Sequence, residues 1–135
     1  MYLNCHSYFS LRYGTIPVKD IVNKAVELGI DSLALTDINN TSGVFDFVKA
    51  CKTANIRPIV GVEFRNGDEL KYICLAKNNE GFQEINYFLT EYLSKKKDFP
   101  NKAPSYQNAF TIYPLDFLET SPVLENHEFV GVRFW

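Results

Sequence analysis

Apolar positions along the chain follow two rhythms, every second residue and every third or fourth, which predict strands and helices in turn. Tyr2–His6 reads as a short strand, followed by a loop through Tyr8–Gly14. Pro17 then sits in the first turn of a helix whose apolar face is Val18, Ile21, Val22, Ala25 and Val26, with Gly29 as its stop. Ser32–Asp37 (S-L-A-L-T-D) is a buried strand ending in polar residues. The loop Ile38–Ser42 follows, and Thr41 or Ser42 is placed to cap the next helix. That helix carries Val44, Phe47, Val48, Cys51 and Ala54 and stops near Asn55. Arg57–Phe64 is the third strand. Two strand–helix–strand units with short loops predict parallel strands joined by right-handed crossovers.

The pattern then changes. Asn66-Gly67 between two strand-like runs is a hairpin signal, so Leu70–Ala76 is expected to return antiparallel. A helix over Glu80–Ser94 buries Phe82, Ile85, Phe88, Leu89, Tyr92 and Leu93. Lys95, Lys96 and Lys97 crowd its C-terminal end, where cations suit the helix dipole; a solvated helix end accounts for them better than a phosphate contact. Pro100–Gln107 is a connector, and Ala109–Tyr113 and Phe129–Phe134 read as two further strands. A strand-like apolar ending leads to the expectation that residues 1–135 are the front part of a longer chain.

Composition narrows the class. The 135 residues are 46% apolar and 22% charged, enough to build a core. No 18-residue apolar run or signal-peptide pattern is present, so a membrane partner is not expected. A net charge of −2 argues against a free-standing nucleic-acid-binding module. Cys5, Cys51 and Cys74 are dispersed and odd in number, which favours reduced thiols in a cytoplasmic protein over a disulfide framework.

In parallel α/β sheets, functional groups gather at the C-terminal ends of strands. His6, Asp37 and Glu63 all fall there, and imidazole with carboxylates is a donor set suited to Zn²⁺ or Mn²⁺. Each residue alone has a plainer explanation. Asp37 could cap a loop, Glu63 could face solvent in a hairpin, and His6 could be an interior histidine. Three such residues at three successive strand ends favour a site, present or former.

Four segments carry a resemblance: N-C-H-S-Y-F-S-L-R-Y-G (4–14), L-A-L-T-D-I-N-N (33–40), R-P-I-V-G-V-E-F (57–64) and Y-I-C-L-A-K-N-N-E-G-F (72–82). In order and spacing they resemble the polymerase and histidinol phosphatase (PHP) domain that opens the alpha subunit of bacterial DNA polymerase III. The resemblance implies the front part of a distorted PHP-type (β/α)7 barrel, α/β in class, with mostly parallel strands and one antiparallel hairpin. Family members that keep their metal cluster hydrolyse phosphoesters, in polymerases removing nucleotides 3′–5′. This sequence departs from that ligand pattern. Asn4 replaces the first histidine of the first motif while His6 keeps the second, and Tyr13 replaces an aspartate. Ile38 replaces a histidine after Asp37, and Lys71 stands where a further histidine is expected. His6 and Glu63 remain, with Asp37 as a neighbour of the ligands. Lys71, if it entered the site, would bring a positive charge able to substitute for a cation.

Three readings compete. The first is a PHP module with a degenerate, metal-free site and no catalytic residues, a structural and docking platform. Its expected partners are the remainder of the polymerase alpha subunit, a proofreading exonuclease subunit, and DNA through the parent chain only. The second is an active metal-dependent phosphoesterase or 3′–5′ exonuclease using His6, Asp37 and Glu63 with Zn²⁺ or Mn²⁺. The third, a signalling domain with Asp37 as phosphoacceptor, needs an acidic pair where this chain has Cys5 and His6. An unclosed sheet edge, with Phe129, Val130, Val132, Phe134 and Trp135 on it, adds an expectation of self-association.

Overall fold

The computed structural model describes residues 1–121 and 123–132. Its sheet follows chain order: β1 (Ser32–Leu35), β2 (Arg57–Asn66), β3 (Glu69–Ala76), β4 (Ala109–Pro114) and β5 (Glu128–Gly131). The helices are α1 (Val18–Glu27), α2 (Val44–Thr53), α3 (Asn79–Ser94) and the single turn α4 (Phe117–Thr120). No helix among the described residues is long and apolar enough to cross a membrane.

Helical spacing builds two cores where helices pack on the sheet. Val18, Val22 and Ala25 of α1 and Phe47 and Cys51 of α2 bury against Leu33 and Leu35 of β1. Val26, expected on that face, is instead about half exposed at 52%. Both helices close alike: Gly29 and Asn55 take positive φ, and the next amides, Ile30 and Ile56, donate back to Ala25 O and Cys51 O at 2.9 Å each. Neither Thr41 nor Ser42 caps α2. Gly43 holds the N-cap position, and the Thr41 hydroxyl donates to Asn86 Oδ1 at 2.9 Å. In the second, Ile85, Phe88 and Leu89 of α3 pack on Val62, Phe64, Tyr72 and Cys74, joined by Phe99, Tyr106 and Tyr113. Leu93 lies outside that core, exposed.

Two of the four strand pairings are parallel (β1–β2 and β4–β5) and two are antiparallel (β2–β3 and β3–β4). The Asn66-Gly67 hairpin is as expected, with Gly67 at φ +59°. The second antiparallel pairing corrects the expectation of mostly parallel strands. Its cause is the excursion from β3 through α3 and the connector, whose two ends are pinned together. Lys77 N donates to Asn108 O at 2.9 Å, and Glu84 accepts from the Gln107 and Asn108 amides. The chain thus re-enters the sheet where it left, and β4 must run back along β3.

Tyr2–His6 is not a full strand. It bridges β1 in parallel at Tyr2 and Leu33. Ala34 N donates to Tyr2 O and Thr36 N, just past β1, to Cys5 O, so a two-residue step on this side spans three of the N-terminal segment and regular pairing fails. At the other edge, β5 covers Glu128–Gly131; the rest of the expected strand reaches Arg133 and Phe134, outside the described residues. Among the described residues the sheet does not close. Ala34, Ile73 and Leu75, with Ile59, Leu70 and Ile112, line one face of it. That face borders an open concavity of about 1250 Å³.

Candidate functional site

Beyond β1 the chain keeps its parallel course beside β2. Glu63 N donates to Asp37 O at 3.2 Å, and Asn39 N donates to Glu63 O at 3.0 Å. This pairing, with the N-terminal segment against β1, brings Asn4, His6, Asp37 and Glu63 to the carboxyl-terminal end of the parallel strands.

Glu63 is fully buried, and both carboxylate oxygens are in use. Asn4 Nδ2 donates to Oε2 at 2.9 Å, and His6 Nε2 hydrogen-bonds the same oxygen at 2.9 Å. Arg65 Nε donates to Oε1. The Thr36 hydroxyl donates to Asn4 Oδ1 at 2.7 Å, which turns the Asn4 amide nitrogen toward Glu63. Burial alone would raise the Glu63 carboxyl. The hydrogen bond and charge of His6, then the bonds from Arg65 and Asn4, outweigh it and hold the group below the usual carboxylate range.

Arg65 is positioned by three features. Opposite Phe64 and Arg65, β3 carries one extra residue, Lys71, and this bulge shifts the β2–β3 register there. Asn39, in the left-handed region at φ 53°, clamps the Arg65 backbone: its Nδ2 donates to Arg65 O and its Oδ1 accepts from Arg65 N, both at 2.9 Å. The Tyr13 ring lies 4.4 Å from the guanidinium carbon, and the Tyr13 hydroxyl donates to Asp68.

Asp37 belongs to a separate, adjoining network. Its carboxylate accepts from Ser7 N and Ser7 Oγ at 2.7 Å each and from Ser10 Oγ at 2.6 Å. Ser10 Oγ in turn accepts from Ile38 N at 2.9 Å. The loop folds so tightly that a Cβ on Gly14 would stand 1.9 Å from Ser7 O, so only glycine fits. A carboxylate enclosed in this way is a tie between two loops, not a phosphoacceptor.

The structure therefore brings Asn4, His6 and Glu63 together, with Tyr13 reaching them through Arg65 and Ile38 contributing a backbone amide to the Asp37 network. It does not bring in Lys71. The bulged register pairs Phe64 with Tyr72 and Arg65 with Leu70, passing over Lys71, whose ammonium donates to Glu69 at 2.8 Å and Asn101 at 2.7 Å. The cation beside Glu63 is Arg65, which the sequence reading did not single out. Its signal was the two-residue spacing from Glu63, which puts both side chains on one face of a strand. Asn39, Ser7 and Ser10 left no comparable signal. Among the described residues no three His, Cys, Asp or Glu side chains converge as a metal-binding group.

The PHP domain family description matches residues 3–122. The chain is 37% identical to the DNA polymerase III subunit alpha of Bacillus subtilis over 103 residues, covering 72% of this chain and 9% of that protein. It is 36% identical to the Escherichia coli K12 subunit over 97 residues, covering 67% and 8%. The chain thus spans under a tenth of these curated relatives' length. Among solved structures, a candidate metal-dependent phosphoesterase of Bifidobacterium adolescentis shares the fold, with a TM-score of 0.54 at 19% identity. That likeness covers 70% of this chain and 32% of the other.

Proposed function

The chain belongs to the PHP domain family, and from that premise we propose that it is a metal-free PHP module of a DNA polymerase III alpha subunit. On this reading residues 1–135 are the front of a PHP barrel within a longer, cytoplasmic replicative polymerase. Their role is structural, and their partners are the rest of that subunit and a proofreading exonuclease. DNA contacts and nucleotidyl transfer belong to the parent chain.

The observation that carries the reading is the engagement of both Glu63 oxygens by Asn4, His6 and Arg65. Zn²⁺ or Mn²⁺ does not suit this donor set. A catalytic metal needs several anionic or imidazole ligands with open positions and outer partners that orient them. Here one imidazole and one carboxylate bond each other, and that carboxylate already has a guanidinium as counter-ion.

Elemental analysis of the purified chain, with a phosphodiester hydrolysis assay, tests the proposal. No stoichiometric metal and no hydrolysis are expected. Stoichiometric Zn²⁺ or Mn²⁺ with hydrolysis lost on Glu63→Gln would establish the phosphoesterase reading instead.

A further inference from the structure

Arg65 has more built around it than a space-filling side chain needs. The partner strand β3 bulges opposite its position, Asn39 fixes its backbone with two bonds, and Tyr13, itself tied to Asp68, lies against its guanidinium. All this delivers one permanent positive charge to one buried carboxylate. We infer that Arg65 is a tethered cation standing in for a metal ion: it offsets the charge of Glu63 and shuts the site to divalent cations. The site is then closed by occupancy as well as short of ligands. A guanidinium bonded to one carboxylate oxygen denies that oxygen to a metal, and its charge repels an incoming cation at short range in a poorly solvated setting. Lysine would supply the charge at this position without the guanidinium's separate donors, which here reach Glu63 through Nε and Asp68 O through Nη1.

This inference rests on the metal-free reading, and the two fail differently. Metal in the purified wild-type chain defeats that reading. The test of Arg65 is thermal unfolding of the 135-residue chain with EDTA or with millimolar Mn²⁺ or Zn²⁺. Wild type should melt at the same temperature in all three. Arg65→Gln should melt lower in EDTA and recover several degrees on adding metal, because a ligand that binds only the folded state stabilises it. Arg65→Lys should melt between the two in EDTA and stay insensitive to metal. A metal response equal in Arg65→Gln and wild type, or a destabilised Arg65→Gln with no metal response, overturns the inference. If Arg65→Gln does not fold, the double variant with Glu63→Gln decides. Recovery of folding supports charge compensation, since charge and counter-ion leave together, and failure to recover overturns it.

Discussion

Replacing Asp37 separates a structural tie from a metal ligand. Asp37→Ala removes the acceptor for the Ser7 amide, the Ser7 hydroxyl and the Ser10 hydroxyl, all in a buried setting. Each orphaned buried donor costs about 1–3 kcal/mol, with bonds to a charged acceptor at the upper end. The hydroxyls can turn toward other acceptors, but the Ser7 N–H is fixed by the backbone. The expected loss is therefore about 3–5 kcal/mol, below the simple sum, against a total stability of about 5–15 kcal/mol for a domain. With a urea m-value of about 2 kcal/mol/M, the unfolding midpoint should fall by about 2 M. Asp37→Asn should cost about 1–2 kcal/mol, because its Oδ1 still accepts from Ser7 N while its amide faces a serine oxygen able to accept. Urea unfolding followed by circular dichroism, in EDTA and in Mn²⁺, measures all three proteins. A shift below about 0.5 M for Asp37→Ala would refute the reasoning. So would an Asn variant as damaged as the Ala variant, or a wild-type midpoint that rises with metal only while Asp37 is present.

Other expectations follow from close contacts, charge and the open edge. A Cβ at Gly61 would lie 2.1 Å from Cys74 O, so Gly61→Ala should push β2 from β3 and cost roughly 2–3 kcal/mol in thermal unfolding. Gly67→Ala, with open space but φ +59°, should cost only about 1 kcal/mol; equal losses would contradict this account. Because the folded Glu63 carboxyl is held below its ordinary 4.5, its contribution is present above that pH and lost as pH falls through the lower folded value. Wild-type stability should therefore drop more steeply below pH 4.5 than that of Glu63→Gln, and parallel pH profiles would show otherwise. Finally, β5 pairs only with β4 among the described residues, and Phe110, Phe129 and Val132 border the open face. Self-association is expected on that ground, and sedimentation showing a monomer from micromolar to millimolar concentration would count against it.

What could be read from sequence was set locally. The faces of α1 and α2, the Asn66-Gly67 turn and the strand over residues 57–64 follow from periodicity and turn chemistry, which depend on neighbouring residues. The direction of β4 does not. It depends on Lys77 meeting Asn108 across the whole α3 excursion, a contact with no sequence period. The Tyr2–His6 segment has strand composition, yet an extra residue against β1 breaks its ladder. At the site, His6 and Glu63 were legible because strand ends collect functional groups. Arg65 was missed because a search for metal donors passes over a cation, and the bulge that leaves Lys71 outside the cluster is invisible before the register is known.

Asp37 and Glu63, the buried carboxylates at this end of the sheet, meet the cost of burial in opposite ways, and the contrast bears on how the module could keep its fold without a metal. Asp37 is satisfied by uncharged donors from a single loop, residues 7 and 10, which hold the loop in place whatever happens elsewhere. Glu63 draws its partners from two stretches of chain: Asn4 and His6 on the N-terminal segment, and Arg65 on its own strand. A buried carboxylate without compensation costs several kcal/mol, so something must stand opposite it in any folded state. In a metalloenzyme that partner is an imported ion, and the fold at the strand ends depends on the ion's supply. With Arg65 the counter-charge is encoded in the same strand as the charge, two residues away, and arrives whenever β2 forms. The N-terminal segment then docks on an already balanced carboxylate through the uncharged amide of Asn4 and the ring of His6. Folding at this end of the sheet thereby becomes a property of the chain alone, which suits a part whose proposed work is to hold other parts in place.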